Sequence, residues 1–365
     1  MKIPFTKLVS ALPASTPFVG PETLERQNGA TFSARIGANE SAFGISPKAT
    51  DALHAAIENN GCSWYCDPEN YELRVELAAL HKVDIDEICV DAGIDSLLGL
   101  TVRMLVEPGT PVVTSDGAYP TFLYHVSGFD GAVHKVAYDN NHEDPQALLA
   151  KAAETKARLV YLSNPDNPMG TSLSGETVQQ MIDELPGHSL LLLDEAYIEF
   201  ASDNLSPAID TTNTQVIRYR TFSKAYGMAG MRIGYVIGHK DLITGFNKIR
   251  NHFGVNRLAQ AGALASLRDN EFLPSIRQQV EAGRQRVYSM AAEMNLEYLP
   301  SSTNFVAVDM GHGDNTRTML NKLMEHGIFI RMPGVAPLDR FLRVGVGSPD
   351  EHAAFEKAFR LLAPA

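Results

Sequence analysis

The chain has 365 residues, of which 44% are apolar and 20% are charged, and this composition is typical of a globular protein with a large buried core. Its formal net charge of -12 and its pI of about 5.4 exclude a broad basic surface for nucleic acid or for an anionic membrane. The three cysteines, Cys62, Cys66 and Cys89, lack paired Cys-x-x-Cys spacing, so we expect a reducing compartment and no metal site.

An irregular arm is predicted for residues 1 to about 40, because this stretch lacks periodicity and has prolines at positions 4, 13, 17 and 21. The chain begins without a continuous apolar signal core, and no apolar run of 18 residues occurs in it. We therefore expect a cytoplasmic protein that binds no membrane. The length favours two domains, which we place at residues 44–249 and 250–365, after an arm of residues 1–43.

Helices and strands alternate through the first two thirds of the chain. The predicted helices lie at residues 47–59, 72–82 and 97–106. The predicted strands lie at residues 88–90, 112–115, 133–137, 159–162, 189–193, 216–219 and 233–237. This order is typical of the α/β class and predicts a mainly parallel, seven-stranded sheet covered by helices.

The last third of the chain has a different pattern. A long helix is predicted over residues 271–294 and a shorter one over 316–326. Strands are predicted at 304–308, 328–330 and 341–345. These elements predict a smaller α+β domain, and we expect the active site between the two domains.

The loop of residues 221–235 places one lysine among glycines, between two predicted strands. Ser223 supplies a hydroxyl, Lys224 an amine, and Arg232 a guanidinium that can hold a phosphate through paired hydrogen bonds. These groups suit a phosphorylated aldehyde such as pyridoxal phosphate. By itself the loop is equally consistent with a glycine-rich turn that carries a solvated lysine and a surface arginine.

Residues that can bind a ligand follow several of the predicted strands: Gly93, Tyr119, Asn167, Asp194, Tyr197 and Lys224. Ligands of parallel sheets bind at the carboxyl ends of the strands, so we expect these residues to meet there. The turn of residues 91–96 joins a strand to a helix and can direct backbone amides at an anion. Many such turns bind nothing, and the turn by itself leaves that alternative open.

Four sequence blocks resemble those of the fold-type I pyridoxal-phosphate aminotransferases, and most closely the histidinol-phosphate aminotransferase branch. They are Asn164-Pro-Asp-Asn-Pro-Met-Gly170, Leu193-Asp-Glu-Ala-Tyr197, Ser223-Lys224 and Gly230-Met-Arg-Ile-Gly234. The resemblance runs from Ala38-Asn39-Glu40 to Arg343. It implies the fold of that family, with a large sheet domain and a small domain, and its cofactor, pyridoxal 5'-phosphate.

The resemblance implies roles for the residues around the cofactor ring. Lys224 would bind the cofactor covalently and then transfer the proton during catalysis. Asp194 would keep the ring nitrogen protonated, because an opposite charge in a poorly solvated site favours the charged form. Asn167 and Tyr197 would hydrogen-bond the 3' oxygen of the ring, and Tyr119 would stack on its face.

The resemblance also implies the residues that hold the two anionic groups. The cofactor phosphate would lie on the turn at Gly93, Ile94 and Asp95, with Ser223, Arg232 and the hydroxyl of Tyr65 from a second subunit, which implies a homodimer. Arg343 would hold the substrate anion, with Asn39 and Phe18 beside it. Arg331, twelve residues earlier on the neighbouring strand end, could add the second positive charge that a phosphate dianion needs, although a surface arginine in an ion pair is the alternative. The arm carries Pro17-Phe18 where that branch often has Pro-Tyr, so a hydroxyl for the substrate phosphate is missing.

The function that this resemblance implies is transfer of an amino group from a small anionic amine, such as histidinol phosphate, to 2-oxoglutarate by a ping-pong mechanism, as part of histidine biosynthesis. Two other enzymes fit the same fold, an aromatic amino acid aminotransferase and a decarboxylase similar to the threonine-phosphate decarboxylases. A non-enzymatic regulator is a third alternative, but the residues ahead of the fold are too few and too irregular for a DNA-binding helix-turn-helix.

Overall fold

The computed structural model describes residues 3–13, 19–202 and 204–362. Its helices within these ranges are α1 (Lys7–Ala11), α2 (Pro21–Asn28), α3 (Pro47–Glu58), α4 (Tyr71–His81), α5 (Ile94–Leu105), α6 (Pro120–Gly128), α7 (Pro145–Thr155), α8 (Gly175–Asp183), α9 (Lys240–Ile249), α10 (Arg257–Leu267), α11 (Phe272–Glu293), α12 (Gly313–Glu325) and α13 (Pro349–Leu362). Its strands are β1 (Ala34–Arg35), β2 (Ile88–Asp91), β3 (Pro111–Ser115), β4 (Ala132–Val136), β5 (Leu159–Ser163), β6 (Leu190–Asp194), β7 (Val216–Thr221), β8 (Gly234–Gly238), β9 (Phe305–Asp309), β10 (Ile328–Phe329) and β11 (Phe341–Gly345).

Seven strands form the large sheet in the order β2-β8-β7-β6-β5-β3-β4. Strands β3 to β7 pair in parallel, and β8 runs antiparallel to both of its neighbours, β7 and β2. Six strands therefore point the same way, and their carboxyl ends share one edge of the sheet. This arrangement confirms the predicted α/β fold with a mainly parallel, seven-stranded sheet.

Both faces of the sheet are covered, as the long apolar strands require. Successive residues of a strand point to opposite faces, and here they belong to two separate clusters of buried side chains. Val112, Leu159 and Leu192 pack on one face, where α5 and α6 contribute buried side chains. Val113 and Leu191 pack on the other face, under α7 and α8.

A second, smaller core lies in the C-terminal third. Strand β9 pairs antiparallel with β11, and β1 from the N-terminal segment pairs in parallel with β10. Side chains of these four strands pack with those of α11, α12 and α13 in one buried cluster. The N-terminal segment is therefore bound to this α+β part of the chain through both strand pairing and apolar packing.

The N-terminal segment contains two short helices, so the prediction of an irregular arm was wrong for its described residues. Helix α1 begins at a cap in which Thr6 Oγ1 accepts from Val9 N at 3.2 Å. Helix α2 begins with Pro21 and ends at Gly29, whose φ of 69° is left-handed. A proline at the first position and a glycine after the last are the usual helix boundaries, so Pro21 marked a helix start rather than a loop.

Two further properties of the described residues bear on function. None of their helices combines the length and the apolar character needed to span a bilayer. Within the same ranges, the His, Cys, Asp and Glu side chains form no group of three or more that could hold a metal ion.

Candidate active site

The loops after the parallel strands meet at the carboxyl edge of the sheet. Ser163, the last residue of β5, lies beside Asp194, the last residue of β6. Asp91 of β2 and Thr221 of β7 both pair with Gly234, which begins the antiparallel strand β8. The strand register thus brings together the loops that follow β2, β5, β6 and β7.

Lys224 lies in the loop between β7 and β8, with its side chain partly buried. Its amine donates a hydrogen bond to the main-chain oxygen of Asn39 at 3.2 Å and lies 5.5 Å from the centre of the Tyr197 ring. The loop is held closely, because a Cβ added to Gly227 would lie 1.9 Å from the carbonyl oxygen of Gly44. Gly227 also has a φ of 71°, so only glycine fits there. The amine is therefore fixed in place by its neighbours.

Asp194 is a buried carboxylate at the end of an apolar strand. Its Oδ2 accepts from the Tyr161 hydroxyl at 2.6 Å, and its Oδ1 accepts from the amide of Ala196 at 3.0 Å. Burial raises the pKa of Asp194 to about 6, although both hydrogen bonds act in the opposite direction. Among the described residues no Lys, Arg or His pairs with it, so the site can accept a cation.

Asn39 connects the N-terminal segment to the centre of the site. Its side-chain nitrogen donates to the Tyr197 hydroxyl at 2.9 Å, and its main-chain oxygen also accepts from Asn304 Nδ2 at 3.2 Å. The side-chain oxygen of Asn39 is buried and has no hydrogen-bond partner in the described part of the chain. A buried polar atom of this kind is expected to bind a ligand or water.

A candidate anion site lies where α5 begins. Gly93 has a φ of 87°, and no side chain caps the amides of the first turn of α5. Arg232 donates to Ser223 Oγ at 3.3 Å and to Asp95 Oδ2 at 3.5 Å. A Cβ added to Gly93 would lie 2.7 Å from Arg232 Nη2, so a larger residue would fill this space. The helix start, a hydroxyl and a guanidinium thus surround one small space.

Tyr119 lies beside this anion site, just before α6. Its hydroxyl donates to Asp95 Oδ1 at 3.0 Å, which directs the ring from the neighbouring loop toward the start of α5. Burial raises the pKa of Tyr119, and the charge of Asp95 acts in the same direction. The hydroxyl therefore remains a hydrogen-bond donor at neutral pH.

Arg343 is brought to the sheet edge by β11. Its Nη1 donates to Asn167 Oδ1 at 2.7 Å and its Nη2 to the Gly37 carbonyl at 3.2 Å. Its Nε is buried and has no hydrogen-bond partner within the described ranges. Burial lowers the pKa of Arg343, but an arginine stays charged at neutral pH. A charged guanidinium held only by neutral oxygens is well placed to bind an anion.

Arg331 is the second arginine of this region. The main-chain amide of Arg343 donates to the Arg331 carbonyl at 2.8 Å, so the two residues are neighbours across a β-bridge. The Arg331 guanidinium donates to the Val19 carbonyl at 2.5 Å and lies 5.2 Å from the centre of the Phe329 ring. It therefore links the N-terminal segment to the small domain.

Two of the predicted site residues are not placed with the others. Tyr65 is 78% exposed, and its ring contacts that of Phe253 with the centroids 4.9 Å apart. Its main-chain oxygen accepts from Arg257, but its hydroxyl has no hydrogen bond to the described residues of the site. Phe18 lies outside the described residues. The remaining predicted site residues lie along the sheet edge or on β11 and its neighbours.

Three residues of the site were not predicted. Tyr161, on β5, hydrogen-bonds Asp194, and Asn304 and Gly37 bind Asn39 and Arg343 through the contacts above. A tyrosine within a buried apolar strand needs a partner for its hydroxyl, and this signal could have identified Tyr161. Asn304 and Gly37 give no such signal, because their contacts join parts of the chain that are far apart in sequence.

Comparisons with known proteins show the family of this chain. The family model described as aminotransferase class I and II matches residues 34–357. A histidinol-phosphate aminotransferase of Carboxydothermus hydrogenoformans is 31% identical over 347 residues, covering 93% of this chain and 94% of the relative. A histidinol-phosphate aminotransferase of Nitrosococcus oceani is 33% identical over 339 residues, covering 92% and 90%.

Solved structures are similar over the whole chain. The histidinol-phosphate aminotransferase of Sinorhizobium meliloti, in complex with pyridoxal-5'-phosphate, has a TM-score of 0.94 and 45% identity, covering 100% of this chain and 99% of that one. A mutant aspartate aminotransferase of Thermus thermophilus has a TM-score of 0.83 at 20% identity, covering 99% and 100%. At that identity the second likeness shows the fold alone.

Proposed function

The chain belongs to the class I and II aminotransferases, and from this membership we propose that it transfers the amino group of histidinol phosphate to 2-oxoglutarate. The observation that carries the proposal is the partly buried, charged Arg343, held by Asn167 and Gly37 with its buried Nε–H still open. It supplies the recognition of an anion that a phosphorylated amine and a dicarboxylic oxo acid both need. The names of the relatives described above support the choice of amine.

The described residues fit pyridoxal phosphate, the cofactor of this family. Asp194 is a buried carboxylate without a cationic partner in the described ranges, as a protonated ring nitrogen requires. The uncapped start of α5, with Ser223 and Arg232, offers N–H and O–H donors to a phosphate. The open side-chain oxygen of Asn39 belongs to an amide whose nitrogen donates to the Tyr197 hydroxyl.

Each side chain has a task in holding the cofactor. The amides of Ile94 and Asp95, with Ser223 and Arg232, would bind its phosphate. The negative charge of Asp194 would keep the ring nitrogen protonated. Asn167 and Tyr197 would bind the 3' oxygen of the ring. Tyr119 would cover one face of the ring and exclude water.

Lys224 is the acid and base of the reaction. When bound, pyridoxal phosphate supplies the electron sink that makes the substrate carbon acidic. The Lys224 amine would hold the cofactor and, once the substrate amine has displaced it, would remove a proton from the substrate carbon and deliver it to the adjacent cofactor carbon. Its contact with the Asn39 carbonyl limits how far the amine can move. The reaction consists of two half-reactions, so the kinetics are ping-pong.

Arg343 and Arg331 hold the substrate anion. A phosphate dianion needs more positive charge than a carboxylate, and the two arginines are neighbours through the β-bridge between their strands. Asn39 completes the wall of this pocket on the side of Tyr197. Phe18, in the N-terminal segment, lacks the hydroxyl that a tyrosine would offer to a substrate phosphate.

Tyr65 acts from a second copy of the chain. Within one chain, Tyr65 is 78% exposed, and the neighbouring Trp64 and Phe253 are 62% and 52% exposed. These three side chains form an exposed aromatic surface. Burial of that surface between two copies would stabilise a homodimer and carry the Tyr65 hydroxyl to the phosphate of the neighbouring site. Gel filtration at micromolar concentration should give the mass of a dimer, and a monomer would contradict this assignment.

Spectrophotometric titration of the cofactor-loaded protein tests the substrate. Histidinol phosphate, phenylalanine, tyrosine and threonine phosphate are added one at a time while the cofactor absorbance is followed. We expect histidinol phosphate to convert the absorbance at micromolar concentration and 2-oxoglutarate to restore it, with glutamate formed. Conversion by an aromatic amino acid alone, or carbon dioxide released from threonine phosphate, would replace the proposed substrate by one of the two alternatives.

A further inference from the structure

Two carboxyl groups, those of Glu143 and Asp166, lie within hydrogen-bonding reach of each other in the interior, next to the loop that carries Asn167. Glu143 is 3% exposed and Asp166 is 2% exposed. All other hydrogen bonds to the pair come from neutral groups of the described chain. Glu143 accepts from the Ser115 hydroxyl at 2.6 Å and from the Ser163 amide at 2.9 Å.

Asp166 accepts from the Tyr138 hydroxyl at 3.0 Å and from the Met169 amide at 3.0 Å. These bonds shape the loop after β5, which carries Asn167 next to Asp166 in the chain. Asn167 in turn accepts the 2.7 Å hydrogen bond from Arg343. The pair is thus connected to the substrate arginine through one residue, and its charge also acts on that arginine across space.

Two carboxyl groups in direct contact cannot both be ionised in a buried site. Without a cation bonded to either group, the second charge would face both the cost of burial and repulsion by the first. A hydrogen bond between the two groups also requires a proton, since a carboxylate only accepts. Burial accordingly raises the pKa of both groups, and the nearby charge of Asp166 raises that of Glu143 further.

We propose that Glu143 holds a proton that it shares with Asp166, and that the pair positions Asn167 and Arg343 for an anionic substrate. The positioning part of this inference rests on the proposed function, while the shared proton does not. With the proton retained, the pair presents at most one negative charge toward the substrate anion. Loss of the proton would add a second negative charge behind Arg343 and weaken anion binding.

The charged and titratable groups that face the pair are few. Tyr138 and Asp116 lie on the side of β3 and β4, and Asp116 is itself paired with Lys135 at 2.9 Å. Tyr161 faces the pair from β5, and Arg343 from β11. Burial raises the pKa of both tyrosines, so they stay neutral over the range in which the pair loses its proton.

The shared proton is tested by the pH dependence of unfolding of the cofactor-loaded protein between pH 6 and 8. The native pair keeps a proton that the unfolded chain releases, so stability should fall as pH rises through this range. Glu143→Gln keeps a donor but cannot ionise, so its unfolding should release about one proton fewer than that of the wild type. Glu281→Gln, on the half-exposed surface of α11, should keep the wild-type dependence.

The equal pH dependence of wild type and Glu143→Gln would overturn the shared proton. Should Glu143→Gln fail to fold, Asp166→Asn serves instead. Its amide can donate to Glu143, which then ionises, so the same loss of one released proton is expected. This measurement needs no substrate, so it stands whether or not the enzyme accepts histidinol phosphate.

The positioning role is tested by KM for the anionic amine between pH 6.5 and 9.5. The wild-type KM is divided by that of Glu143→Gln at each pH, because ionisation of the substrate changes both KM values equally and its effect is removed from the ratio. We expect the ratio to rise several-fold toward high pH, because only the wild-type pair gains a second charge. A ratio that is constant with pH overturns the coupling to substrate, whereas the absence of turnover with every anionic amine would contradict the proposed function instead.

Discussion

The two ends of the active site are built differently. The proposed cofactor end consists of Asp194, at the end of β6, and of Ser223 and Lys224 in the loop after the neighbouring strand β7. The substrate end joins Arg343 of β11 to Gly37 of the N-terminal segment and to Asn167 of the loop after β5. These three segments are far apart in the chain and meet only through tertiary packing.

This difference separates the residues needed for the reaction from those that determine the choice of substrate. The strand register fixes the cofactor end, and a change there should abolish the reaction for every substrate. The substrate end depends on contacts between the small domain, the N-terminal segment and the sheet, so changes there should alter KM and the choice of amine. Variants at the two ends can therefore be compared by how they divide between kcat and KM.

Replacement of the catalytic amine should have the largest effect. Lys224→Ala removes both the cofactor attachment and the proton transfer, so we expect turnover to fall by about 10⁴-fold or more. Borohydride treatment followed by mass spectrometry should no longer find cofactor fixed to the protein. Lys151→Ala, which removes an exposed ion pair with Glu154, is the control and should behave as wild type. A fully active Lys224→Ala enzyme would refute the assignment of the site.

Removal of the buried charge at the cofactor end should have the next largest effect. Asp194→Asn leaves the ring nitrogen without a negative partner, and we expect kcat to fall by about 10²- to 10³-fold for every amine. The control is Asp210→Asn, at an exposed turn.

The same variant gives a test by pH. Burial raises the pKa of Asp194 to about 6, so the cofactor-free protein takes up a proton there as pH falls below that value. Cofactor affinity should then fall by up to about tenfold for each unit of pH, because binding of the ring cation requires the ionised carboxylate. Equilibrium dialysis from pH 5 to 8 measures this. If the cofactor affinity of Asp194→Asn falls as steeply with decreasing pH as that of the wild type, another group is responsible for the pH dependence.

Changes at the substrate end should act mainly on KM. Arg343→Lys keeps the charge but loses the paired hydrogen bonds, so KM for the amine and for 2-oxoglutarate should rise by about 10- to 100-fold. Arg331→Lys should raise KM for the phosphorylated amine several-fold and should raise KM for 2-oxoglutarate less. Arg340→Lys, in a partly exposed ion pair with Asp309, is the control. A loss that appears only in kcat would place Arg343 at the cofactor end instead.

The smallest effect concerns the second copy of the chain. Tyr65→Phe should weaken cofactor binding by about tenfold, the usual effect of losing a hydrogen bond to a charged group. Tyr65→Phe and Lys224→Ala chains can be unfolded together and refolded to give mixed dimers. If the hydroxyl acts across the dimer, each mixed dimer has one complete site, with Lys224 from the first chain and Tyr65 from the second. Cofactor affinity of that site then returns to the wild-type value. Affinity that stays at the Tyr65→Phe value would mean that Tyr65 acts within its own chain.

Much of the cofactor end could be predicted from the sequence. The apolar run before Asp194 and the glycines around Lys224 mark a strand and a loop by local pattern alone. The seven predicted strands are all present, and helix α5 begins at Ile94, three residues earlier than predicted. That earlier start places Ile94 and Asp95 in its first turn, where free amides are available.

Other features depended on contacts that a local pattern does not contain. The arm was predicted to be irregular because it lacks periodicity and has four prolines, and helices as short as α1 and α2 show little periodicity. Helix α10 was not predicted, although Asn256 provides its cap at Ala259 N, 2.7 Å away. The pair of Glu143 and Asp166 looks like two ordinary surface acids in the sequence. Only the fold shows that both are buried and in contact.

The sequence by itself determined the α/β fold, the family and the residues at the carboxyl ends of the strands, because side-chain periodicity and strand ends are local properties. Tertiary structure alone decided which residues meet Arg343, where Asn39 lies, and that two acids share an interior position. These contacts join segments of the chain that lie far apart, and their energies come from burial and hydrogen bonding that exist only after the chain has folded.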